Sequence, residues 1–306
     1  MDEAKPTFGQ DLSWRLETGA YDVLTFVLRL LPVDWVSAFG GWMLRTLGPL
    51  TGQHRVARIN LKIAFPDADD AWIEDTLKAQ WDNVGRVFAE FPVMDKLRPS
   101  TGRVELVNGE RLDEIAAQHQ AVVFVSGHLS NWEIMPAAIV DRGVDCLMTY
   151  RAANNPYFDK RIRQGRARYG VTLFAQKGGA DTRKLYRALS AGTSVALMMD
   201  QRFEEGLAMP FFGEMAHTNP GAVRLALQFD TVLQTMSVQR LKGARFRAVV
   251  HDPIVLERTG DREADMAAGV ARINAFMEER IRERPAEWFW VHHRWPREIY
   301  RKDRQS

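Results

Sequence analysis

The fold is decided by the stretch Ala121-Val122-Val123-Phe124-Val125-Ser126-Gly127-His128-Leu129-Ser130-Asn131-Trp132-Glu133. Its first five residues are apolar and rich in β-branched side chains, and the run is too short for a core helix, so it predicts a buried strand. His128 follows the carboxyl end of that strand, which is the edge where α/β folds place ligands and catalytic groups. Gly127 allows a sharp turn there and leaves room for a substrate carbonyl to approach.

His128 and Glu133 form the candidate catalytic pair of this stretch. On one continuous helix their spacing would rotate them about 140° apart, so they would not share a face. If His128 lies in the turn and Glu133 in the first turn of the next helix, the two side chains can meet over the strand end. A carboxylate there would hold the imidazole in one tautomer, as a general base acting on a hydroxyl requires. The structural alternative is a capping box formed by Ser130 and Glu133, and both interpretations can hold together.

Short apolar runs alternate with helical patterns after residue 104. Strands are predicted at 121–125, 144–149, 171–174 and 194–199, with helices at 109–118, 156–169 and 182–191. This alternation predicts an α/β fold with a mostly parallel central sheet flanked by helices. Further strands are predicted at 232–239 and 246–250, with a helix starting near Pro220 and another from about 263 to 284.

The first hundred residues are predicted to be helical. Helices are expected at 54–65 and from Asp69 or Asp70 to about Phe91, and each ends before a proline. The change of pattern near residue 103 divides a helical, membrane-associating region, 1–102, from an α/β core, 103–306. We expect the two regions to form one body.

Residues 21–50 are apolar, but charged residues interrupt them and Pro32 breaks them. A membrane-spanning helix needs about 20 uninterrupted apolar residues, so insertion is not favoured. One interpretation is a pair of amphipathic helices lying in a membrane interface, with Trp14, Trp35 and Trp42 as anchors. The other is an ordinary helical pair packed on the core.

Composition argues against several classes of protein. The formal net charge of +2 is too near neutral to indicate nucleic-acid binding. The single cysteine, Cys146, allows no disulfide framework, and its place in a predicted buried strand argues against a catalytic thiol. Adjacent His292 and His293 lack further ligands at useful spacing, so no metal site is predicted. Residues 1–18 are polar and mixed in charge, unlike a signal peptide.

Arginines follow two of the predicted elements at the same edge as His128. Arg151 comes directly after the strand at 144–149, and Arg166 and Arg168 lie at the end of the following helix. Such a position can hold a phosphate through charge-assisted hydrogen bonds. The alternative for the basic residues of this helix is a solvated face.

Two further blocks carry candidate site residues. Asp200 and Gln201 follow the strand at 194–199, where Asp200 can orient a substrate or pair with an arginine, or simply cap a turn. Phe211 and Phe212 are adjacent aromatic residues in a predicted loop. Because such a pair is costly to expose, it either fills the core or lines an apolar channel.

Taken in order, these blocks resemble the bacterial lipid A late acyltransferase family, the lauroyl and myristoyl transferases of lipopolysaccharide assembly. The matching motifs are Gly127-His128-x-x-Asn131-Trp132-Glu133, Arg151 with the following Asn-Pro, Asp200-Gln201, Pro210-Phe211-Phe212-Gly213 and Trp290-x-x-x-Arg294-Trp295. The resemblance covers nearly the whole chain and implies a glycerolipid-acyltransferase-like fold.

The resemblance also implies roles for single residues. The family's H-x4-[DE] dyad falls on His128 and Glu133, its downstream arginine on Arg168, or on Arg166 in a shifted register, and its acidic residue on Asp200. The resemblance implies that Asn131, Arg151 and Gln201 bind substrate. It also implies that Phe211 and Phe212 border the acyl channel.

The implied reaction is acyl transfer from a thioester to a hydroxyl of a lipid A precursor. His128 would take the hydroxyl proton, and backbone N–H groups after it would stabilise the oxyanion. Since no Ser or Cys nucleophile stands beside His128, no acyl-enzyme is expected. The acyl donor is a thioester of acyl carrier protein or of coenzyme A. No cofactor and no nucleic-acid partner are expected.

The expected location is the cytoplasmic face of the bacterial inner membrane, as a peripheral protein or through a single N-terminal anchor. Acyl carrier protein, the lipid A precursor and the membrane surface are the expected partners. Two other hypotheses stay open: an acyltransferase acting on a lysophospholipid or a glycosylated phosphoinositol, and a non-catalytic membrane lipid-binding module.

Overall fold

The computed structural model describes residues 6–172, 174–176 and 179–302. Its strands are Val104–Val107 (β1), Val123–Ser126 (β2), Cys146–Tyr150 (β3), Phe174–Gln176 (β4), Ser194–Met198 (β5), Arg202–Phe211 (β6), Glu214–Thr218 (β7), Leu233–Arg240 (β8) and Phe246–Val250 (β9). In this part of the chain, seven of them form one sheet in the order β1-β9-β8-β2-β5-β3-β4, and β6 and β7 pair as a hairpin.

The helices account for most of the remaining described residues. They are Phe8–Leu30 (α1), Val33–Leu47 (α2), Gly52–Ala64 (α3), Asp70–Glu90 (α4), Glu110–Ala117 (α5), Ile134–Asp141 (α6), Pro156–Ala167 (α7), Gly179–Ser190 (α8), Gly221–Gln228 (α9), Arg262–Glu283 (α10) and Arg297–Lys302 (α11). Short 3-10 turns span Gly48–Leu50, Phe91–Lys96, Pro99–Thr101 and Pro285–Glu287. The predicted break at Pro32 is confirmed, because it caps the start of α2.

The sheet is mostly parallel, as predicted. Strands β8, β2, β5, β3 and β4 run in one direction. Strand β9 is antiparallel to β8, and β1 is parallel to β9. Helices connect the parallel strands and cover both faces of the sheet. Within β2, Phe124 packs into one apolar cluster while Val123 and Val125 pack into another, as the alternation of a strand requires.

A third apolar cluster lies beside the sheet. Its members include Phe211 of the hairpin and three buried tryptophans from the segment after α10: Trp288, Trp290 and Trp295. The hairpin corrects the prediction of a loop around Phe211 and Phe212. Its turn is formed by Phe212 at φ 52° and Gly213 at φ 80°, a left-handed pair suited to a tight hairpin.

Most predicted boundaries agree with the structure to within a few residues. The strand expected at 171–174 begins three residues later, at Phe174, and residue 173 lies outside the described residues. Strand β1 was not predicted as a strand. Residues 1–5, part of the polar N-terminal stretch, and 303–306 also lie outside the described residues.

Helices α1 and α2 expose a broad apolar surface. Large side chains at least a third exposed on this surface, named here the N-terminal apolar face, are Val23, Leu24, Phe26, Val27, Leu30, Leu31, Trp35, Phe39, Trp42, Leu47 and Leu50. The other side of α2 packs tightly on α4, where Gly40 and Gly85 leave no room for a side chain between the backbones. No helix in the described ranges has the length and apolarity needed to cross a bilayer.

Candidate active site

The site is assembled by three neighbouring strand ends. Strands β2, β5 and β3 lie side by side and parallel, and Ser126 of β2 pairs with Met198 of β5. The residues that follow these strands therefore emerge at the same edge. They are His128 after β2, Asp200 after β5 and Arg151 after β3.

His128 is fixed by the carboxylate of Asp200. The ring Nδ1 lies 2.8 Å from Asp200 Oδ1, and the backbone N–H of His128 donates to Asp200 Oδ2 at 2.8 Å. Gly127 permits this approach, because a Cβ at residue 127 would stand 2.9 Å from the Asp200 carboxyl carbon. Since Nδ1 is engaged, Nε2 is the ring nitrogen left to exchange a proton with a substrate.

A strap formed by the segment before α11 holds the same carboxylate from the other side. The indole N–H of Trp288 donates to Asp200 Oδ2 at 2.8 Å, and the N–H of Phe289 donates to the His128 carbonyl at 3.1 Å. Trp132 and Phe289 pack against the His128 ring, with centroids 5.0 and 6.1 Å away. Thus the ring is held in one orientation.

The charge of this pair is set by burial and by hydrogen bonding. Asp200 is 1% exposed, and burial alone would raise the pKa of its carboxyl. The charge of the His128 ring and the hydrogen bonds from its side chain outweigh burial, and they lower the pKa of Asp200 below its ordinary value. Asp200 is therefore an anion across the physiological pH range.

The structure corrects the predicted contact between His128 and Glu133. Glu133 lies just before α6, and its carboxylate is turned to Arg166 in a bidentate pair, with Oε1 to Nη2 at 2.5 Å and Oε2 to Nε at 3.0 Å. Tyr169 donates its hydroxyl to Oε2 at 2.5 Å. The carboxylate that contacts the imidazole is that of Asp200. The physical reason is that β5, not α6, lies directly beside β2 at the level of His128.

Glu133 and Arg166 form a buried ion pair. Burial would raise the pKa of Glu133, but Arg166 and the Tyr169 hydroxyl lower it below its ordinary value. Burial would likewise lower the pKa of Arg166, and Glu133 raises it instead. Because the guanidinium stays protonated at any relevant pH, Arg166 is a permanently charged hydrogen-bond donor on the cavity wall, with Glu133 as its counter-ion.

A cavity of about 380 Å³ opens beside both pairs. His128, Glu133, Arg151, Arg166 and Gln201 line its polar part. The rest of the wall is mainly apolar, with Phe124, Met135, Ile139, Met148, Ile162, Val171, Leu197, Met198 and Met236 among its residues. This combination of a long apolar wall with a few convergent polar groups is typical of small-molecule sites.

Five of the predicted site residues do not line this cavity: Asn131, Arg168, Asp200, Phe211 and Phe212. Phe211 and Phe212 are 0% and 7% exposed and fill the third apolar cluster, which is the other interpretation open at the sequence level. Arg168 follows α7 on the exposed side, where its charge acts on Asp22 and Asp95. Of the two arginines that the resemblance allowed, the cavity holds Arg166.

Asn131 is a structural residue of the turn. It is fully buried, its amide donates to Glu90 Oε2 at 2.8 Å, and its side-chain oxygen accepts the N–H of Glu133 at 3.2 Å. Glu90 is itself buried and bridged by Arg240, with oxygen to nitrogen distances of 2.6 and 3.0 Å. The turn that carries His128 is therefore tied to α4 through an ion pair in the core.

The predicted oxyanion donors are in part already used. The N–H of Leu129 bonds the carbonyl of Gly127 at 2.8 Å, and the N–H of Ser130 bonds the carbonyl of Glu287 at 2.7 Å. The capping box is also wrong, because Ser130 has φ 50° and Glu133, not Ser130, precedes α6. Pro136 falls in the first turn of α6, where its missing donor is not needed.

Sequence reasoning missed Tyr169 and Trp288 as site residues. Tyr169 follows Arg168 directly, so its proximity to the predicted arginines was a usable signal. Trp288 stands 88 residues from Asp200, and nothing local marks it as a partner. Within the described residues, no cluster of three or more histidine, cysteine, aspartate or glutamate side chains could hold a metal ion.

Comparison with known proteins points to one family. The profile of the family described as "Bacterial lipid A biosynthesis acyltransferase" matches residues 15–297 of this chain. Two relatives are "Lipid A biosynthesis palmitoleoyltransferase" of Escherichia coli (strain K12) and "Lipid A biosynthesis acyltransferase" of Shigella flexneri. Each is 23% identical over 252 residues, which is 80% of this chain and 79% of the relative.

Proposed function

The chain belongs to the bacterial lipid A biosynthesis acyltransferase family, and we propose that it moves a fatty-acyl group from an acyl thioester to a hydroxyl of a lipid A precursor. The thioester is carried by acyl carrier protein or coenzyme A. The reaction takes place at the cytoplasmic face of the inner membrane. The observation that carries the proposal is a histidine on the wall of a largely apolar cavity, anchored through Nδ1 by a buried aspartate.

In the proposed reaction His128 is the general base. Nε2 takes the proton of the acceptor hydroxyl while the hydroxyl oxygen attacks the thioester carbonyl carbon. The tetrahedral intermediate then collapses, its C–S bond breaks, and the leaving thiolate receives the proton from His128. Asp200 stabilises the imidazolium that exists between the two proton transfers, a role suited to a carboxylate that stays ionised. A dyad of His128 with Glu133 is replaced in this proposal by a pair of His128 with Asp200.

Glu133 acts through Arg166. The guanidinium lies on the cavity wall with a planar, bidentate carboxylate behind it, so it presents a fixed positive charge to the site. A charge fixed there stabilises the negative oxygen of the tetrahedral intermediate or an anionic group of a substrate. Arg151 and Gln201, also on the wall, contact the substrate head group.

The apolar part of the cavity takes the acyl chain. Its wall is built from methionine, leucine, isoleucine and phenylalanine side chains of β2, β3, β5, α6 and β8. Methionines are adaptable packing partners, which suits a flexible hydrocarbon. With the acyl chain inside the cavity, the thioester carbonyl lies near His128 on its wall.

Membrane association follows from the N-terminal apolar face. Phe26, Trp35 and Trp42 are 66%, 69% and 56% exposed, which is costly in water and favourable in the interfacial region of a bilayer. Trp35 and Trp42 then act as interfacial anchors. This arrangement gives a peripheral protein that meets its lipid acceptor without spanning the bilayer.

The test is acyl transfer by the purified full chain in detergent micelles. Given acyl carrier protein thioester and an under-acylated lipid A precursor, the wild type should produce the further acylated lipid, detected by mass spectrometry. His128→Ala should lose activity by about a thousandfold or more because the base is removed. The matched control is Arg168→Gln, an exposed residue outside the cavity, which should retain activity.

Two results would contradict the proposal. Acylation of lysophosphatidate in preference to the lipid A precursor would assign the protein to a different acceptor class. Full activity in a folded His128→Ala variant would remove the histidine from the chemistry.

A further inference from the structure

The indole of Trp288 reaches Asp200 from a distant part of the chain. Its N–H donates to Asp200 Oδ2 at 2.8 Å, across 88 residues of sequence. Both side chains are fully buried, so bulk water does not compete for this hydrogen bond. Trp288 is not among the residues that line the cavity of about 380 Å³. It therefore contacts the carboxylate without contacting a substrate bound in that cavity.

The backbone of Trp288 is paired with the turn that carries His128. Leu129 and Trp288 form an antiparallel β-bridge, and the N–H of Phe289 donates to the His128 carbonyl at 3.1 Å. The two segments thus form a short ladder, with the histidine and the tryptophan on adjoining strands. Backbone hydrogen bonds of this kind fix the place from which each side chain extends.

Glu287, directly before Trp288, anchors this ladder on the core. Its carbonyl accepts the N–H of Ser130 at 2.7 Å. Its carboxylate accepts the backbone N–H of Arg240, on β8, at 2.8 Å, and Arg284 Nη1 donates to it at 3.0 Å. The indole N–H of Trp288 is therefore directed at Asp200 by a segment that is held independently of Asp200.

The two oxygens of Asp200 have separate tasks. Oδ2 accepts the backbone N–H of His128 and the indole N–H of Trp288, each at 2.8 Å, while Oδ1 faces His128 Nδ1 at 2.8 Å. The torsion that turns an aspartate carboxylate has a broad energy profile, so the rotamer alone does not fix its plane. Two donors on Oδ2 do fix it, and they keep Oδ1 directed at the imidazole.

We propose that Trp288 is a positioning residue for acyl transfer, whose indole N–H holds the Asp200 carboxylate in the plane that orients the His128 ring. Loss of this N–H leaves Oδ2 with one donor in a place that bulk water does not reach, at the cost of a hydrogen bond to a charged group. The inference deepens the proposed function and rests on the pairing of His128 with Asp200 in it.

Trp288→Phe removes the N–H and keeps an aromatic ring in the cluster. We expect kcat for acyl transfer in micelles to fall by about ten- to a hundredfold, the range for a hydrogen bond to a charged group. KM should stay close to that of the wild type, because a loss confined to the transition state lowers kcat and kcat/KM equally. If Trp288→Phe does not fold, 3-benzothienylalanine at residue 288 keeps the shape of the indole and lacks only its N–H.

Trp290→Phe is the matched control. Trp290 is equally buried, its ring centroid lies 4.5 Å from that of Trp288, and its indole N–H donates to the carbonyl of Pro285 at 2.7 Å. This variant loses the same atoms from the same cluster without touching Asp200. We expect a comparable fall in melting temperature with kcat close to that of the wild type. An equal fall of kcat in both variants would reduce the role of Trp288 to packing and would overturn the proposal.

The Nδ1 proton of His128, followed by NMR, tests the positioning without any acyl transfer. In Trp288→Phe we expect its resonance to shift and its exchange with water to accelerate, whereas Trp290→Phe should leave both as in the wild type. An unchanged resonance in Trp288→Phe overturns the proposal, whether or not the protein transfers acyl groups. A wild type that is inactive but shows this difference would contradict the proposed function alone.

Combining Trp288→Phe with Asp200→Asn tests whether the tryptophan acts through the aspartate. We expect Trp288→Phe to lower kcat much less in the Asp200→Asn protein than in the wild type, because no carboxylate charge is left to orient. Losses that multiply would show that Trp288 acts independently of Asp200, and they would contradict the inference.

Discussion

Two buried carboxylates hold the two halves of the site, and they do so with different partners. Asp200 accepts from an imidazole, a backbone N–H and an indole N–H, whereas Glu133 is paired with a guanidinium and a phenol. An imidazole can accept a proton and return it during a reaction, whereas a guanidinium stays protonated throughout. From this difference we infer that His128 with Asp200 transfers the proton, and that Arg166 with Glu133 supplies a permanently charged guanidinium.

The variant Asp200→Asn tests whether Asp200 supports proton transfer, and we expect it to have the largest effect. The amide preserves shape but removes the charge that stabilises the imidazolium, and it can donate to Nδ1 and so favour the wrong tautomer. We expect kcat to fall by about a thousandfold, within the range of a general-base contribution. Initial rates of acyl transfer measure it, and a loss of tenfold or less would argue against the pair.

Glu133→Gln should have a smaller effect of a different kind. Arg166 keeps its charge but loses the bidentate partner that holds its plane, so transition-state contacts weaken while the hydrogen bonds between His128 and Asp200 remain. We expect a loss of about ten- to a hundredfold in kcat/KM, as for a single weakened charge-assisted contact. Arg166→Lys, which keeps the charge without the fork, should behave similarly. If Glu133→Gln were as inactive as Asp200→Asn, the division of roles would be contradicted.

The smallest expected effect is on the pH dependence of the free energy of unfolding, and it comes from His292, which lies beside Asp200. Burial lowers the pKa of His292 from 6.5 to about 4, and its ring bonds the carbonyl of Phe289 at 2.6 Å. Between pH 6.5 and 4 the unfolded chain binds a proton at this residue and the folded chain does not, so the free energy of unfolding falls as the pH falls. Burial lowers the pKa of His251 to about 4 as well, which adds a change of the same sign.

Urea unfolding at pH 7 and at pH 4.5 measures this dependence. We expect His292→Gln to reduce the difference between the two pH values by on the order of 1 to 2 kcal/mol. His119→Asn, at an exposed histidine, serves as the control. An unchanged difference in His292→Gln would show that the region around Asp200 does not exclude the proton from His292.

Local patterns predicted much of this fold because they depend on neighbouring residues. The apolar runs located β2, β3, β5, β8 and β9, and the prolines located the ends of α3 and α4. The hairpin was not predicted, since Arg202–Phe211 mixes charged residues, a glycine and a proline, and its strand character comes from pairing with Glu214–Thr218.

The sequence predicted which residues form the site better than it predicted which of them contact each other. His128, Glu133, Arg166 and Asp200 were all named from their place after strands and helices. Which carboxylate meets the histidine depends on the order β2-β5-β3, which differs from the order along the chain. A sequence alone does not state that β5 lies between β2 and β3, so Glu133, near in sequence, was paired where Asp200, 72 residues away, is the partner.

The tautomer of His128 tests the central claim most directly. Two-dimensional ¹H–¹⁵N spectra of the imidazole nitrogens, assigned by comparison with His128→Gln, distinguish a protonated Nδ1 from a protonated Nε2. We predict that neutral His128 carries its proton on Nδ1, that Asp200→Asn abolishes this preference, and that Glu133→Gln leaves it unchanged. A His128 tautomer that responds to Glu133→Gln and not to Asp200→Asn would contradict the account.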